Sequence, residues 1–491
     1  MAGSIPVSES AANDPANDPA ENPMSYSNKK GIWSWMLFDW AAQPFHTLII
    51  TFVFAPYFAA SVVTNQSAAA FLNLVGLGFM FDPTNADAGA GGQIIWGLAI
   101  GVGGVLIAFS APILGAIADA TGPRKPWIGV FGLIGTFGCW SLWYAVPGLE
   151  NLGFIVFAVI ITLIGFEFAT VFNNAMMPDL VPRSELGKLS GSAWGLGYVG
   201  GLLTLVIILG FFASNPESGK TLLGIAPLFG FDTALREGDR FAGPFTAVWF
   251  IVFLIPMFMY TPDIQKNVAV KGAIRKGLSE LFSTLRSLPQ RESYFNFLLS
   301  SMFYRDALNG LYTFGGIYAA RVLGWSIIEI GIFGIIANIS GAFGAGIGGR
   351  VDQKWGPRPV VLWTIVILTL ACVTIVSTSR TQVMFVQIVT AGQSSLLPDI
   401  IFYICGAIIG AAGGALQASS RTLLVDQVPR EKITEAFGLF ALSGKATAFI
   451  APFAVAWVTA ISGSNRLGIT PIIVLFIIGI FLLTRVQGNK A

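Results

Sequence analysis

Four apolar stretches of the chain carry polar and ionisable side chains at helical spacing, and these residues have the types that could do chemistry. In the first stretch Asp39, Gln43 and His46 are spaced i, i+4 and i+7, which places them on one face of a helix. The other stretches carry Glu167, Thr170, Asn173 and Asn174, then Arg305, Asp306, Asn309 and Thr313, and finally Gln417 and Arg421. Lys445 is a further isolated charge. Because charges inside a bilayer are costly and usually face a cavity, the pattern predicts a polar path through a membrane.

The mixture of acids and bases predicts a site for a small polar or zwitterionic solute. Asp39 or Asp306 could meet an ammonium group. Arg305 or Lys445 could meet a carboxylate. The predicted substrate-binding residues are Asp39, Gln43, Asn173, Asn174, Arg305, Asp306, Asn309, Gln417 and Lys445. The structural alternative is that Asp39 and Arg305 form a buried ion pair, with Lys445 paired to Asp306.

Proton coupling is predicted at Glu167, Asp306 and His46. Glu167 lies near the middle of its stretch with no cation close to it in the sequence, so it is the first choice for a titrating carboxylate. His46 is the only histidine, and an ordinary imidazole pKa near 6.5 suits proton transfer. Its structural alternative is a hydrogen bond within the helix bundle.

The composition is that of a membrane protein. Hydrophobic residues make up 54% of the chain and charged residues 11%, against roughly a quarter charged in soluble domains. The three cysteines, Cys139, Cys372 and Cys405, lie in apolar stretches, so no disulfide framework, metal site or cofactor is expected. A net charge of +2 gives no reason to expect a nucleic-acid partner. Neither a nucleophile–base set nor a Walker loop is present, so neither an enzyme nor an ATP-driven pump is predicted.

Twelve apolar runs are long enough to cross a bilayer as helices, which takes about 20 residues each. Strands are excluded because the runs are continuous rather than alternating. Predicted spans 1 to 12 are 33–62, 92–118, 127–147, 152–178, 190–213, 243–260, 295–321, 327–349, 359–378, 399–424, 434–460 and 468–485. Residues 68–81 are apolar but short, and a re-entrant or surface helix is expected there rather than a thirteenth span.

The distribution of Lys and Arg predicts the orientation. Nineteen of these residues fall on one side of the predicted spans and five on the other, so both termini are expected to be cytoplasmic. The predicted domains are a disordered cytoplasmic tail (1–32), a six-helix bundle (33–260), a cytoplasmic linker (261–294), a second six-helix bundle (295–485) and a short cytoplasmic tail (486–491). Within the linker, apolar positions at helical spacing predict an amphipathic surface helix from Gly272 to Leu288.

Two turns repeat between the halves. Gly115-Ala-Ile-Ala-Asp119-Ala-Thr-Gly122-Pro-Arg124-Lys125 follows span 2, and Gly348-Gly-Arg-Val-Asp352-Gln-Lys-Trp-Gly-Pro-Arg358 follows span 8 with one residue more. After spans 4 and 10, the positions Asp179, Pro182, Arg183 and Gly191 match Asp426, Pro429, Arg430 and Gly438, each 247 residues later. A parallel duplication of this kind predicts a substrate path between the halves. The alternative is that the turns merely end helices.

The first of these turns resembles the signature loop of the major facilitator superfamily, Gly-x-x-x-Asp-x-x-Gly-x-Arg-Lys. The stretch from Trp35 to Phe58 and the run Gly413-Gly-Ala-Leu-Gln417-Ala-Ser-Ser-Arg421 resemble the branch of vacuolar amino-acid effluxers of fungal autophagy and their bacterial relatives. The resemblance implies an all-α membrane protein with twelve transmembrane helices in two pseudo-symmetric six-helix bundles. It also implies that spans 1, 4, 7 and 10 line a central cavity.

The same resemblance implies a gate. The signature Asp of the superfamily caps the start of a helix in the opposite half, so Asp119 is expected at the start of span 11, and Asp352 at span 5 by symmetry. The predicted gating residues are Asp119, Gly122, Arg124, Asp352, Arg358 and Arg421.

The predicted function is secondary active transport of an amino acid or similar solute by alternating access, with export implied by the fungal branch. The partners expected are a small-molecule substrate and the lipid bilayer of the cell inner (plasma) membrane, with the protein acting as a monomer. The alternative is a sensor or assembly factor that has kept the fold without transporting.

Overall fold

The computed structural model describes residues 26–84, 90–215, 218–264, 272–325, 327–388 and 395–488. Twelve long helices, α1 to α12, dominate this part of the chain. They are Lys29–Val62, Ala90–Thr121, Lys125–Ser141, Gly153–Leu180, Leu186–Phe211, Ala242–Tyr260, Glu292–Tyr318, Ile327–Trp355, Pro357–Val376, Leu397–Val425, the broken helix α11 (Ile433–Ala446 and Ile450–Ser462) and Thr470–Thr484. The predicted twelve-helix fold is confirmed.

Helix α7 is the least apolar of the twelve. Eleven helices in the described residues are long and apolar enough to cross a membrane, and α7 is not among them. It has 27 residues, enough for a crossing, but Arg305, Asp306 and Asn309 lower its mean hydropathy. The low hydropathy of α7 thus comes from residues predicted to bind substrate.

The ends of the chain and the loops are described in part. Of the predicted tails, residues 1–25 and 489–491 lie outside the described residues, and α1 already begins at Lys29. Between α1 and α2 the apolar segment forms a helix of ten residues, Asn65–Leu74, which is too short to cross a bilayer. Between α9 and α10 a small hairpin pairs β1 (Gln382–Val383) with β2 (Val386–Gln387).

The predicted linker helix runs from Ala273 to Ser287 and is called the connecting helix. Gly277 lies against the backbone of Ala116 in α2, where a side chain would collide with the carbonyl of that residue. At the other half, the Nζ of Lys432 donates to the hydroxyl of Thr284 over 2.9 Å. The connecting helix therefore contacts both halves of the molecule.

Two membrane helices depart from regular α geometry. In α1 the backbone is π-helical over Phe45–Phe52, directly after Pro44. In α11 the helix stops at Ala446 and resumes at Ile450, where the sequence predicted one continuous span from 434 to 460. Gly444 and Pro452 flank this break. Helices interrupted at membrane depth are tolerated where they are buried in protein or line a cavity.

The two halves touch at one side of the bundle and separate at the other. The closed side is the end of α2 that carries Gly115 and Asp119. A side chain at Gly115 would collide with the backbone of Thr434 in α11. Toward the other end of α2, the same face carries Gly104, Gly101 and Gly97, which are spaced by three and four residues. Among the described residues, no neighbouring atom lies within 4 Å of the position that a Cβ atom would take at any of these three glycines. The cleft between α2 and α11 is therefore open on that opposite side, the open side.

Candidate functional site

The turn between α2 and α3 binds the start of α11 on the closed side. Asp119 accepts hydrogen bonds from the backbone amides of Thr434, at 3.1 Å, and Glu435, at 2.8 Å. These amides belong to the first turn of α11, where the free N–H groups and the helix dipole favour a carboxylate. The contact predicted from the resemblance is present.

Arg124 extends this contact. Its Nε donates to the Thr434 hydroxyl over 3.0 Å, and its Nη1 lies 2.6 Å from the carboxylate of Asp179 in α4. Gly122 makes the turn possible because its φ of +98° is a conformation that residues with side chains rarely adopt. The three predicted residues of the first turn thus act as one unit that joins α2, α4 and α11.

We expect Asp119→Asn to shift the protein away from the state closed on this side. The substitution removes a charge–dipole interaction worth roughly 0.3–1 kcal/mol, and up to about 2 kcal/mol where it is partly buried. The measurement is the distance between spin labels on cysteines introduced at Ser184 and Gln353, two closed-side positions in different halves, which should lengthen. Glu150→Gln, an exposed carboxylate between α3 and α4, is the control. Unchanged distances with normal flux would make Asp119 an ordinary turn residue.

The second turn does not repeat this arrangement. Asp352 lies against Gly187 in the first turn of α5, as symmetry predicted, but its hydrogen bond comes from the Thr422 hydroxyl of its own half, at 2.5 Å. Arg358 donates to the carbonyl of Thr484 at the end of α12 over 2.9 Å, so it contacts its own half here and its role in gating stays a prediction. The second turn has one residue more between Asp and Arg, and α8 stays helical through Trp355. One extra helical residue rotates the chain by about 100°, which carries Arg358 away from the other half.

Arg421 of α10 is bound by three helices of the first half. Its guanidinium donates to Asp39 at 3.1 and 3.2 Å, and to the side chain of Asn174 at 2.8 Å. It also donates to the hydroxyl of Ser190 at 3.1 Å and to its carbonyl at 3.0 Å. The side chain is 3% exposed and lies 4.7 Å from the Trp194 ring. We call Arg421, Asp39, Asn174 and Ser190 the arginine lock.

The arginine lock corrects the predicted pairing of Asp39. Its partner is Arg421 and not Arg305, and its carboxylate is 8% exposed. Asp39 and Asn174, both predicted to bind substrate, therefore join the two halves through Arg421 in this conformation. Arg421 can reach α1, α4 and α5 at once because Ser190 lies at the start of α5, where that helix packs closely on the second half.

A second group of charges, the central charge cluster, lies deeper in the cleft. The Nζ of Lys445 is 2.8 Å from Oε1 of Glu167, and the two side chains are 25% and 22% exposed. Glu167 therefore has a cation beside it, contrary to the prediction, and that cation comes from the opposite half. His46 and Arg305 also interact electrostatically with Glu167. The structure thus brings together four of the predicted residues: Glu167, Lys445, His46 and Arg305.

Arg305 is held by the backbone and by an aromatic ring. Its Nη1 donates to the carbonyl of Phe440 over 2.6 Å, and its guanidinium lies 4.1 Å from the Phe440 ring. The guanidinium fills the space where Gly444 lacks a side chain, one residue before Lys445. No carboxylate lies within ion-pair distance of Arg305 among the described residues. The cluster therefore holds two cations and one carboxylate.

Asp306 faces away from this cluster. Its Oδ2 accepts from the backbone amide of Ala451 at 2.9 Å, in the first turn of the second segment of α11. Its carboxylate is 2% exposed, and Oδ1 has no hydrogen-bond partner among the described residues. The prediction that Lys445 pairs with Asp306 is wrong, because Asp306 caps the helix segment that starts after the break while Lys445 lies in the last turn of the segment before it and pairs with Glu167.

The remaining predicted residues are spread over the cleft. Gln417 approaches the Tyr198 hydroxyl at 3.5 Å, Asn309 is exposed, and Gln43 packs against Gly201 of α5. Asn173 is fully buried, and its side-chain amide has no partner among the described residues. The residues predicted to form one polar path are thus divided among the arginine lock, the central charge cluster and the cap of α11, with Asp39 in the first, Glu167 and Arg305 in the second and Asp306 in the third.

Several groups that form the candidate site were not predicted from the sequence. Ser190 and the carbonyl of Phe440 carry no sequence signal, because hydroxyl and backbone groups of this kind occur everywhere. The break in α11 had a weak signal in Gly444 and Pro452, since both residues disfavour helix interiors.

The sequence of the chain is similar to those of known transporters. A family described as "Vacuole effluxer Atg22 like" matches residues 182–491, and the Major Facilitator Superfamily matches residues 9–205. The MFS-type transporter YxiO of Bacillus subtilis, described as uncharacterized, is 24% identical over 459 residues, which are 93% of this chain and 95% of that protein. Autophagy-related protein 22 of Cryptococcus neoformans is 21% identical over 296 residues, which are 57% of this chain and 52% of that protein.

Solved structures show the same fold. The human organic anion transporter MFSD10 superimposes with a TM-score of 0.63 at 14% identity, over 92% of this chain and 99% of that one. The transporter FucP in its outward conformation gives a TM-score of 0.60 at 15% identity, over 88% and 99%. The family match covers more than half of the chain, and the superfamily match covers much of the rest. The chain therefore belongs to the Atg22-like vacuole effluxer family, a branch of the major facilitator superfamily of transporters.

Proposed function

We propose that this transporter is secondary active and carries a small polar or zwitterionic solute, such as an amino acid, by alternating access. The supporting observation is the Glu167–Lys445 ion pair, which joins the two halves at 2.8 Å with both side chains about one quarter exposed. A zwitterion presents an ammonium group to Glu167 and a carboxylate to Lys445 and Arg305. Binding would therefore replace an ion pair between the halves by two ion pairs to the solute.

The different packing of the two sides of the cleft supports alternating access. The arginine lock and Asp119 hold the closed side together, while the glycine face of α2 lies open on the opposite side. Separation of the halves on the closed side requires the lock to break, and closure on the open side requires the cleft to collapse around the solute. The conformation described corresponds to the state open away from the termini.

We further propose that Glu167 exchanges a proton during the cycle. A protonated Glu167 no longer attracts Lys445 as an ion, so the link between the halves weakens. A solute ammonium can pair with Glu167 only when its carboxylate has lost the proton, so the proton and the ammonium compete for the same group. Such competition couples a proton gradient to solute movement, and export in exchange for protons is the direction that the effluxer branch suggests.

The closed side is proposed to be cytoplasmic, with the protein monomeric in the cell inner membrane and both termini in the cytoplasm. The support is the excess of Lys and Arg on the side of the termini.

A labelling experiment tests this topology. Cysteines introduced at Ser218, between α5 and α6, and at Ser279, on the connecting helix, should react with an impermeant maleimide from opposite sides of the membrane. Both positions are exposed, whereas Cys139, Cys372 and Cys405 are buried and should give little background. Labelling of both from the same side would contradict the proposed topology.

Flux into proteoliposomes tests the function itself. Purified protein should exchange radiolabelled amino acids across the membrane, and a pH gradient should drive net movement. The panel should include organic acids, sugars and short peptides, so that another substrate class is recognised. A protein that binds one of these solutes without moving it would instead be the sensor.

A further inference from the structure

A groove on the membrane-facing surface follows the seam between α5 and α8. On α5 it runs from Gly191 to Leu202, and on α8 from Arg350 to Asn338, with Trp33 of α1 beside it. Its volume is about 390 Å³. The walls belong to both halves of the molecule, so the shape of the groove depends on how the halves are arranged.

The dimensions of the groove match one acyl chain in one leaflet. The stretch from Gly191 to Leu202 rises by roughly 16 Å along a helix, and half of a hydrocarbon core of about 30 Å is about 15 Å. The groove starts at the closed side, beside Gly191, and ends near mid-membrane. Exposed apolar side chains such as Val199, Ile339 and Phe343 line its length.

The groove has a cationic end. Arg350 is exposed, and the hydrogen bond that its Nη1 makes within the described part of the chain goes to the carbonyl of Gly346, at 3.0 Å. Lys188 is exposed one helical turn before the groove residue Ser192, and Lys354 is exposed one turn beyond Arg350. No ion pair to these three cations is found among the described residues, and the acid nearest to Lys188 in the sequence is Glu185, directly before α5. The charged end lies on the closed side, where lipid headgroups would meet it.

We infer that this seam groove binds an anionic phospholipid, with one acyl chain between α5 and α8 and the phosphate at Arg350. The lipid would bind best in the conformation described, because separation of the halves on the closed side would pull the two walls apart. Binding that favours one of two states shifts the population toward that state. Anionic lipid is therefore expected to favour the closed-side contacts.

The test measures lipid binding directly, without transport. Native mass spectrometry of the full-length protein with added phosphatidylglycerol or phosphatidylcholine should show preferential retention of one phosphatidylglycerol. Arg350→Gln should weaken that retention about fivefold, the effect of one cation near an anionic surface. Arg275→Gln removes an exposed cation of the connecting helix, outside the groove, and should leave retention unchanged. Equal retention of the two lipids, or an unaffected Arg350→Gln variant, would overturn the inference.

A second variant separates the groove from surface charge alone. Ile339→Trp fills the groove and keeps every charge, so it should reduce retention as well. Retention that depends on Arg350 but tolerates Ile339→Trp would show binding to charge alone and reject the groove. With spin labels at positions 184 and 353, phosphatidylglycerol should shorten the mean distance in wild type more than in either variant.

Discussion

Arg421→Ala is expected to abolish net transport and to populate the conformation in which the two halves separate on the closed side. The substitution removes five hydrogen bonds between the halves and leaves Asp39 buried without its cation. Loss of one partner of a buried pair costs about 3–5 kcal/mol, which is a factor of a hundred or more in a conformational equilibrium. The mean distance between labels at positions 184 and 353 should lengthen, and gradient-driven flux should fall to background.

Arg183→Ala is the matched control for this experiment. Arg183 also joins the halves, through an ion pair with Asp426 at 2.6 Å, but its side chain is 51% exposed. Water screens the exposed guanidinium, whereas the side chain of Asp426 is 7% exposed, so this variant should keep more of its flux and of its distance distribution than Arg421→Ala. Arg421→Lys retains the charge without the planar fork and should fall between the two. If Arg421→Ala behaved like Arg183→Ala, the arginine lock would be a packing contact without a role in gating.

Glu167→Gln is expected to abolish pH-driven flux while exchange of solute continues. Glutamine cannot exchange a proton, but exchange across a membrane requires no net proton release. The variant also leaves Lys445 without its ion-pair partner, so solute affinity should change together with coupling. The measurement is a pair of assays, gradient-driven flux and counterflow, on the same proteoliposomes.

Two variants make the result for Glu167 interpretable. Glu185→Gln makes the same chemical change at an exposed carboxylate and should leave both assays unchanged. Lys445→Gln removes the cation and should weaken solute binding in both assays rather than coupling alone. Full pH dependence in Glu167→Gln would remove Glu167 from the proton pathway.

The fold could be predicted because it depends on patterns that can be recognised directly in the amino-acid sequence. Continuous apolar runs, the repeated turns and the side preference of Lys and Arg each reflect a simple energetic rule. The contact of Asp119 with α11 was implied by the resemblance of its turn to the superfamily signature, and the structure contains it.

The pairing of charges could not be predicted in the same way. Sequence spacing shows which residues share a helix face, but not how far two helices are shifted along each other. Asp39 was therefore given the wrong partner and Glu167 none, although both belong to the polar residues identified in the membrane helices. Arg358 shows the same difficulty at a turn, where one additional residue places it against the end of α12 and not against the other half.

The connecting helix has a consequence for the kinetics of the cycle. It rests on α2 through Gly277 and receives a hydrogen bond from Lys432 of the second half. When the closed side separates, at least one of these contacts must break, yet the helix remains covalently attached to both halves. Re-formation of the contact is then an intramolecular event with a high effective concentration. The return to the closed contact should therefore be fast and independent of protein concentration, and a chain cut in this connection should return more slowly even if both halves fold.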